Sequence, residues 1–320
     1  MFVNQRLNKQ IGRITQSLSV ALRRPLVWAP PRRIAVEITN VCNLRCPMCK
    51  LGQKRLRRDI GLMDYDSYCR LVDEVTPFVR HISFPWYGEP FTRKDLGRFV
   101  RYASEKGMVV RVQTNGTYLN KSEIDYLVEC NVHSVTVAID GLEQKTYETY
   151  RVGGNLAEVT AGIKRLVGLR KERCSRYPEL IKMNYLVMKH NEHELPHVRE
   201  FGKNIGVDHV KIKTAHVERT EAGERFLPTD PKYCRYDEGF RLKSGQDKIP
   251  GCSDLWRTSV ISWEGTMGLC CFDYDCEYSP GNVFQDGFFE VWFGNKMQEF
   301  RRRILTDKKN IRLCKRCDRC

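Results

Sequence analysis

The stretch EITNVCNLRCPMCKLG, Glu37 to Gly52, places Cys42, Cys46 and Cys49 within eight residues, directly after a β-like run. The spacing is C-x3-C-x2-C, and a metal cluster, a zinc site, a disulfide or chance are the alternatives. Three thiols leave a four-coordinate zinc one ligand short, and nothing near Lys50 supplies the fourth. A four-iron cluster held by three thiolates keeps one iron open to a further ligand, which is useful for chemistry. The triplet also falls in the loop after the first strand, at the face where parallel α/β folds carry their active sites.

Around the triplet, short β-branched runs alternate with longer amphipathic ones. Strands are predicted at IAVEIT (from Ile34), HISFPW (His81), VVRVQT (Val109), SVTVAI (Ser134), IKMNYLVM (Ile181) and HVKIK (His209). Helices are predicted at Tyr65 to Val75, Asp95 to Gly107, Ser122 to Cys130, Leu156 to Arg173 and Glu194 to Ile205. Six such units imply a parallel sheet with right-handed crossovers, either an open partial barrel or a doubly wound sheet. After Lys213 the pattern changes to a polar, turn-rich run and then to short β-like runs with Trp256, Trp263, Trp292 and cysteines, closing on a helical segment from Glu290 to Leu305. The expected organisation is an N-terminal segment 1–33, an α/β unit 34–215, a linker 216–250 and a cysteine-bearing unit 251–320.

A chain of 320 residues can bury about three quarters of its unfolded surface and so enclose a site. No apolar run reaches the ~18 residues that span a bilayer, and the basic N-terminus lacks the apolar core of an export signal. These features predict a cytoplasmic protein with reduced thiols. Fourteen cysteines then point to metal or redox chemistry rather than a disulfide framework. Cys69, Cys130, Cys174 and Cys234 stand alone and, with Cys276, read as small hydrophobes or surface thiols.

The formal charge of +15 is concentrated at the ends: seven Lys or Arg and no acid before Ile34, and nine against two acids from Arg301 onward. Such ends suit an anionic partner. Leu7, Ile11, Ile14, Leu18 and Leu22 recur at helical spacing with Arg6, Lys9 and Arg13 between them, a basic amphipathic helix. It would either lie on a membrane surface or cover one end of the main unit with its apolar stripe. Arg55, Arg57 and Arg58 read as a solvated loop close to the triplet. His133, His190, His193, His197, His209 and His216 share no metal-ligand spacing and are expected at the surface.

The triplet and the motifs downstream of it resemble the radical S-adenosylmethionine (SAM) enzymes, whose C-x3-C-x2-C loop carries a 4Fe-4S cluster that chelates SAM. That resemblance implies a partial (β/α)6 TIM-like barrel, with Cys42, Cys46 and Cys49 as cluster ligands. It also implies reductive cleavage of SAM to a 5'-deoxyadenosyl radical that abstracts a substrate hydrogen, and an electron donor such as flavodoxin or ferredoxin. YGEP, Tyr87 to Pro90, stands where the family has Gly-Gly-Glu-Pro; Gly88, Glu89 and Pro90 match, and Tyr87 replaces the first glycine. A carboxylate at a strand end can accept hydrogen bonds from the SAM ammonium group. Thr114 and Asn115 in QTNG resemble the segment near the SAM ribose and methionine. Asp140 in AIDG and Arg151 in TYETYR resemble the pair that faces the site, Arg151 toward the SAM carboxylate. Ala138 stands where the family often has serine, Met48 where an aromatic residue often flanks the adenine, and Asn191 matches a further position near the cofactor.

Cys252 is followed by 12 residues, Gly265, four more residues and Cys270, then by CKRCDRC at the end of the chain. Taken on ligand softness alone, such thiolates suit zinc or iron-sulfur equally. The pattern resembles the SPASM extension of radical SAM enzymes in a shortened, one-cluster (twitch) form. That implies one auxiliary iron-sulfur cluster, of the 4Fe-4S type by the resemblance, on Cys252, Cys270, Cys314 and Cys317, with Cys271 or Cys320 as substitutes. Asp254, Asp273 and Asp275 are candidate proton acceptors. An auxiliary electron acceptor favours dehydrogenation; the one-cluster spacing resembles that of radical SAM dehydrogenases acting on aminocyclitols, which implies a small sugar- or cyclitol-like substrate, and the basic surfaces suit an anionic one, phosphorylated or nucleotide-linked. Maturation of a ribosomal peptide is the enzymatic alternative. A non-catalytic iron-sulfur or zinc protein binding nucleic acid is the alternative from another class, although no nucleic-acid partner is expected.

Overall fold

The computed structural model describes residues 2–217, 221–237, 239–240, 242–243 and 252–317. The polypeptide starts with helix α1 (Phe2–Leu22) and then builds strands β1 (Arg33–Val36), β2 (His81–Phe84), β3 (Val109–Thr114), β4 (Val132–Ala138), β5 (Leu180–Val187) and β6 (His209–Thr214). Between them run α2 (Tyr65–Val75), α3 (Leu96–Glu105), α4 (Tyr126–Glu129), α5 (Gln144–Tyr150), α6 (Leu156–Glu172) and α7 (Val198–Asn204). The C-terminal part contains α8 (Glu221–Phe226), α9 (Asp254–Arg257), β7 (Thr258–Ile261), β8 (Met267–Gly268), α10 (Val283–Asp286), α11 (Phe288–Phe293) and α12 (Asn295–Asp307).

The described strands lie in one sheet of order β6-β5-β4-β3-β2-β1-β7-β8, parallel throughout except for the β7–β8 pair. Consecutive β/α units therefore place the carboxyl ends of β1 to β7, and the loops after them, at one face. The local reasons are visible in sequence. Asp64 caps α2 by accepting from the Ser67 amide at 2.8 Å, and Tyr68, Leu71, Val72 and Val75 form its buried stripe. Asn155 caps α6 in the same way through Glu158. The edge strand β6 keeps Lys211 and Lys213 on it, which discourages further pairing.

The C-terminal unit is joined to the sheet of the first. β7 pairs parallel with β1, Ala35 opposite Val260, so the cysteine-rich region extends the sheet instead of sitting beside it. One apolar core joins Ile34, Val36 and Ile82 to Trp256, Ile261, Trp292 and Met297. Both tryptophans also reach back to the N-terminal segment, Trp256 Nε1 donating to the Leu26 carbonyl at 3.0 Å and Trp292 Nε1 to that of Ala29 at 3.3 Å. Arg301, read in sequence as part of a basic tail, is fully buried; its guanidinium donates to the Trp292 and Leu255 carbonyls and lies over the Trp292 ring at 4.3 Å.

Other elements differ from expectation. The helix expected over Ser122 to Cys130 contracts to α4, preceded by turns. α5 is absent from the sequence reading because this short helix, QKTYETY, buries only Tyr147 and Tyr150. The segment Glu290 to Leu305 divides into α11 and α12 at Gly294, whose ψ of 160° is extended. α1 docks through buried Thr15 and Ser19, with Val20 against the core and Ile11 half-buried, while the rest of its apolar stripe, Leu7, Ile14, Leu18 and Leu22, is exposed. Ser19 Oγ holds the chain reversal by bonding both the amide and the carbonyl of Leu26. Within the expected linker, 218–220, 238, 241 and 244–250 lie outside the described residues, as does Cys320.

Candidate active site

The loop after β1 carries the triplet, and each of its three sulfurs meets a polar side chain from a different strand or helix end. Asn115 Nδ2, after β3, lies 3.9 Å from Cys42 Sγ. Arg151 Nη1, at the end of α5, lies 3.7 Å from Cys46 Sγ. Tyr87 Oη, after β2, lies 3.3 Å from Cys49 Sγ. Burial first, and then neighbouring Glu89, Cys46 and Cys49, push the Cys42 thiol up to about 11. Burial raises Cys46 as well, with Arg151 opposing it. Thiols raised in this way become thiolates when a metal binds them and supplies positive charge. Among the described residues no three His, Cys, Asp or Glu side chains are arranged around a single ion. A four-iron cluster holds its thiolates further apart than one ion would.

The residues around the triplet are locked by hydrogen bonds. Glu89 is 2% exposed and accepts from Thr114 Oγ1 at 2.7 Å, from the Asn115 amide at 2.6 Å and from the Phe91 amide at 3.2 Å. Burial outweighs those bonds and pushes its carboxyl up to about 7. Gly88, with φ +80°, lies so close to the β1 loop that a Cβ there would stand 2.4 Å from the Thr39 carbonyl. Pro90 is buried in the turn that Glu89 caps. Asp140 is buried after β4, accepts from Arg151 Nε at 2.7 Å and from the Leu186 amide at 2.7 Å, and so aims the guanidinium at Cys46. Asn191 stands behind this pair: its amide bonds the Asp140 and Leu186 carbonyls and the Met188 amide.

A cavity of about 700 Å³ opens between the triplet loop and the C-terminal region. Met48, Cys49, Lys50 and Tyr87 form one wall, and Phe272 to Asp275, Arg312 and Leu313 form the other. Lys50 pairs with Asp275 at 2.7 Å, and Glu277 pairs with both Arg57 and Arg312. His216 packs on Phe272 at 4.7 Å in the same wall. Arg58 is not a loop cation at all: it forms a two-pronged buried pair with Glu37 at 2.8 Å and donates to the Tyr274 carbonyl.

Behind that wall, Cys252, Cys270, Cys314 and Cys317 line one small second cavity with Leu255, Leu269 and Ile304. Phe272 and Leu313 line both cavities and form the partition. Cys271 and Cys276 do not line the second cavity. Cys314 is pushed up to about 12, by burial first and then by Cys252 and Cys317 beside it. Burial also raises Cys270, with Cys271 and Cys252 adding to it.

Comparison with known proteins gives these geometries a family. The radical SAM superfamily model matches residues 36–202, about half of the chain. The chain belongs to the radical SAM superfamily. The model of the SPASM iron-sulfur cluster-binding domain matches residues 252–318. The AdoMet-dependent heme synthase of Methanosarcina barkeri is 32% identical over 82% of this chain and 82% of its own. The tungsten-containing aldehyde ferredoxin oxidoreductase cofactor-modifying protein of Pyrococcus furiosus is 34% identical over 54% of this chain, which spans 48% of that relative. Streptococcus suis SuiB bound to S-adenosylmethionine shares the fold, with a TM-score of 0.68 at 14% identity, over 91% of this chain and 73% of SuiB.

Radical SAM domains carry a 4Fe-4S cluster and SAM, and SPASM domains carry auxiliary iron-sulfur clusters. The residues fit both groups. The radical SAM triplet offers three thiols, each with a donor able to stabilise thiolate charge, and the second set offers four thiols around one apolar space. Sequence reading missed Tyr87 as a sulfur partner, His216 as a cavity residue and the Glu37–Arg58 pair. Only Tyr87 left a signal, as a departure from the Gly-Gly-Glu-Pro motif.

Proposed function

We propose that this radical SAM enzyme dehydrogenates an anionic sugar- or cyclitol-like small molecule bound between the two cysteine sets, with Cys42, Cys46 and Cys49 holding the first cluster and Cys252, Cys270, Cys314 and Cys317 a second. The supporting observation is the partition: Phe272 and Leu313 separate a substrate-sized cavity at Cys49 from the second cysteine set. The bound cofactors supply hydrogen-atom abstraction and an electron acceptor, and loss of a hydrogen atom, a proton and an electron turns an alcohol into a ketone.

This chain's residues bind and orient. Glu89, ionised, accepts the SAM ammonium; Asp140 holds Arg151 beside Cys46, near the expected SAM carboxylate; Thr114 and Asn115 hold Glu89 by hydrogen bonds, Gly88 and Pro90 flank it in the chain, and Met48 lines the cavity. Asn191 acts from behind by fixing the Asp140 backbone. The cavity lining carries Lys50, Arg55, Arg57, Arg312 and Lys315 against Asp273, Asp275 and Glu277, a positive excess that suits a phosphate or carboxylate even though Lys50, Arg57 and Arg312 are themselves ion-paired. Asp273 lines the cavity with a carboxyl raised by burial, which suits a proton acceptor, whereas Asp275 is held low by the Arg57 amide and Lys50 against the effect of its own burial. Asp254 lies in α9, outside that lining. A flavodoxin or ferredoxin is the proposed electron donor.

The test is anaerobic incubation of the cluster-loaded protein with SAM, a reductant and a panel of phosphorylated and nucleotide-linked sugars, cyclitols and carboxylated tetrapyrroles. The heme synthase relative motivates the last class. The expected result is one 5'-deoxyadenosine formed per substrate that loses two hydrogens. A precursor peptide that gains a crosslink, with no oxidised small molecule, would establish the maturase alternative instead.

A second proposal concerns α1. Its exposed Leu7, Ile14, Leu18 and Leu22, the exposed Trp28 and the absence of acids before Ile34 support contact with an anionic lipid surface. No described helix is long and apolar enough to cross a membrane. Co-sedimentation with phosphatidylglycerol vesicles is expected, with loss in Leu18→Glu. Equal sedimentation of the two proteins would refute the contact.

A further inference from the structure

Tyr87 occupies the position where the family motif has a glycine, and its side chain reaches the cysteine loop. Its Oη accepts from the Leu51 amide at 3.2 Å and lies 3.3 Å from Cys49 Sγ. A cluster-bound Cys49 thiolate carries no proton, so with the Leu51 amide also directed at the phenolic oxygen, the phenol donates its own proton to the sulfur. The ring is fixed from the other side by Tyr274, stacked on it at 4.7 Å with 28° between the planes. Tyr274 is anchored in turn: its carbonyl accepts from Arg58 Nε at 2.6 Å, and Arg58 is bound to the buried Glu37. The hydroxyl is therefore positioned by the C-terminal region.

A donor to a thiolate sulfur withdraws charge from the cluster it binds, and the reduced cluster, carrying one more negative charge, gains more from it than the oxidised one. Removing the donor favours the oxidised state. We propose that the Tyr87 hydroxyl raises the reduction potential of the cluster held at Cys42, Cys46 and Cys49, and that the Tyr274 clamp makes this potential depend on the C-terminal region. The proposal rests on the reading of those three cysteines as cluster ligands.

The test is an EPR-monitored redox titration of the reconstituted full chain without SAM. The relevant signal is identified first as the one missing from the Cys42→Ala, Cys46→Ala, Cys49→Ala variant. If no signal is missing from that variant, the ligand reading fails, and the proposal with it. Where the signal is identified, Tyr87→Phe, which deletes one oxygen and keeps the ring stack, is expected to keep its iron content. Its ratio of reduced to oxidised cluster at a fixed potential should fall about tenfold, a midpoint about 59 mV more negative. The other midpoint should stay where it is. Tyr274→Leu should move the same midpoint in the same direction by less. An unchanged midpoint in an iron-replete Tyr87→Phe overturns the proposal, whatever happens to turnover. An effect confined to Tyr274→Leu also overturns it, because the hydroxyl would then not be the cause.

Discussion

The two cysteine sets are built on opposite principles. The first lies in a loop, and each of its sulfurs meets a polar side chain delivered by a different element, Asn115, Arg151 and Tyr87, with Cys49 opening onto the large cavity. The second surrounds a small space walled mostly by apolar side chains, Leu255, Leu269, Ile304 and Leu313, with Lys308 as its one cation among the described residues. Hydrogen-bonded, accessible thiolates suit a reactive cluster with a free coordination position, whereas a dry wall suits a centre that exchanges electrons without binding substrate.

Substitutions on either side of that divide probe it. Cys270→Ser is expected to remove about four irons and Cys271→Ser none, because only Cys270 lines the second cavity. Iron and sulfide analysis of the two variants checks it; equal losses would erase the distinction. Arg151→Ala leaves Asp140 buried without its cation, and breaking such a pair costs about 3–5 kcal/mol. Urea unfolding of the cofactor-free protein should show this loss, while Asp275→Asn, at the cavity wall, should show much less.

Glu89 gives the pH dependence. Its carboxyl, near 7 in the protein without SAM, is raised above its ordinary value of 4.5 by burial, so the folded chain takes up a proton as pH falls through 7. If Glu89 accepts the SAM ammonium, as proposed, that proton competes with it. SAM affinity should therefore fall about tenfold between pH 8 and pH 6 in calorimetric titrations, and the slope should vanish in Glu89→Gln along with most of the affinity. The smallest effect is expected at α1, where Leu18→Glu falls on an exposed face and should change thermal stability by no more than about 0.5 kcal/mol.

Much of this was legible in the sequence because it is written locally. β-branched runs announce the six strands, amphipathic stretches announce most of the helices between them, and the triplet together with the motifs downstream of it carries the family resemblance. What escaped is non-local. The pairing of β7 with β1 joins residues more than two hundred positions apart, and no periodicity encodes it. Arg58 and Arg301 look like surface cations in sequence, yet one pairs with Glu37 and the other with backbone carbonyls in the core. The apolar stripe of α1 was visible, but the face that docks was not: it is centred on the small, polar Thr15 and Ser19, whose hydroxyls bond backbone carbonyls and so enter the interior at low cost. Tyr87 was visible as a departure from a motif, although only the fold brings it to Cys49.

Whether two clusters occupy two separate sites is decided by the iron and sulfide content of anaerobically reconstituted protein, compared with the Cys42→Ala, Cys46→Ala, Cys49→Ala variant and with the Cys252→Ala, Cys270→Ala, Cys314→Ala, Cys317→Ala variant. Two sites predict about eight irons in the native chain and about four in each variant. About four irons in the native chain, falling to none when the first triplet is removed, would contradict a second centre and with it the dehydrogenase reading.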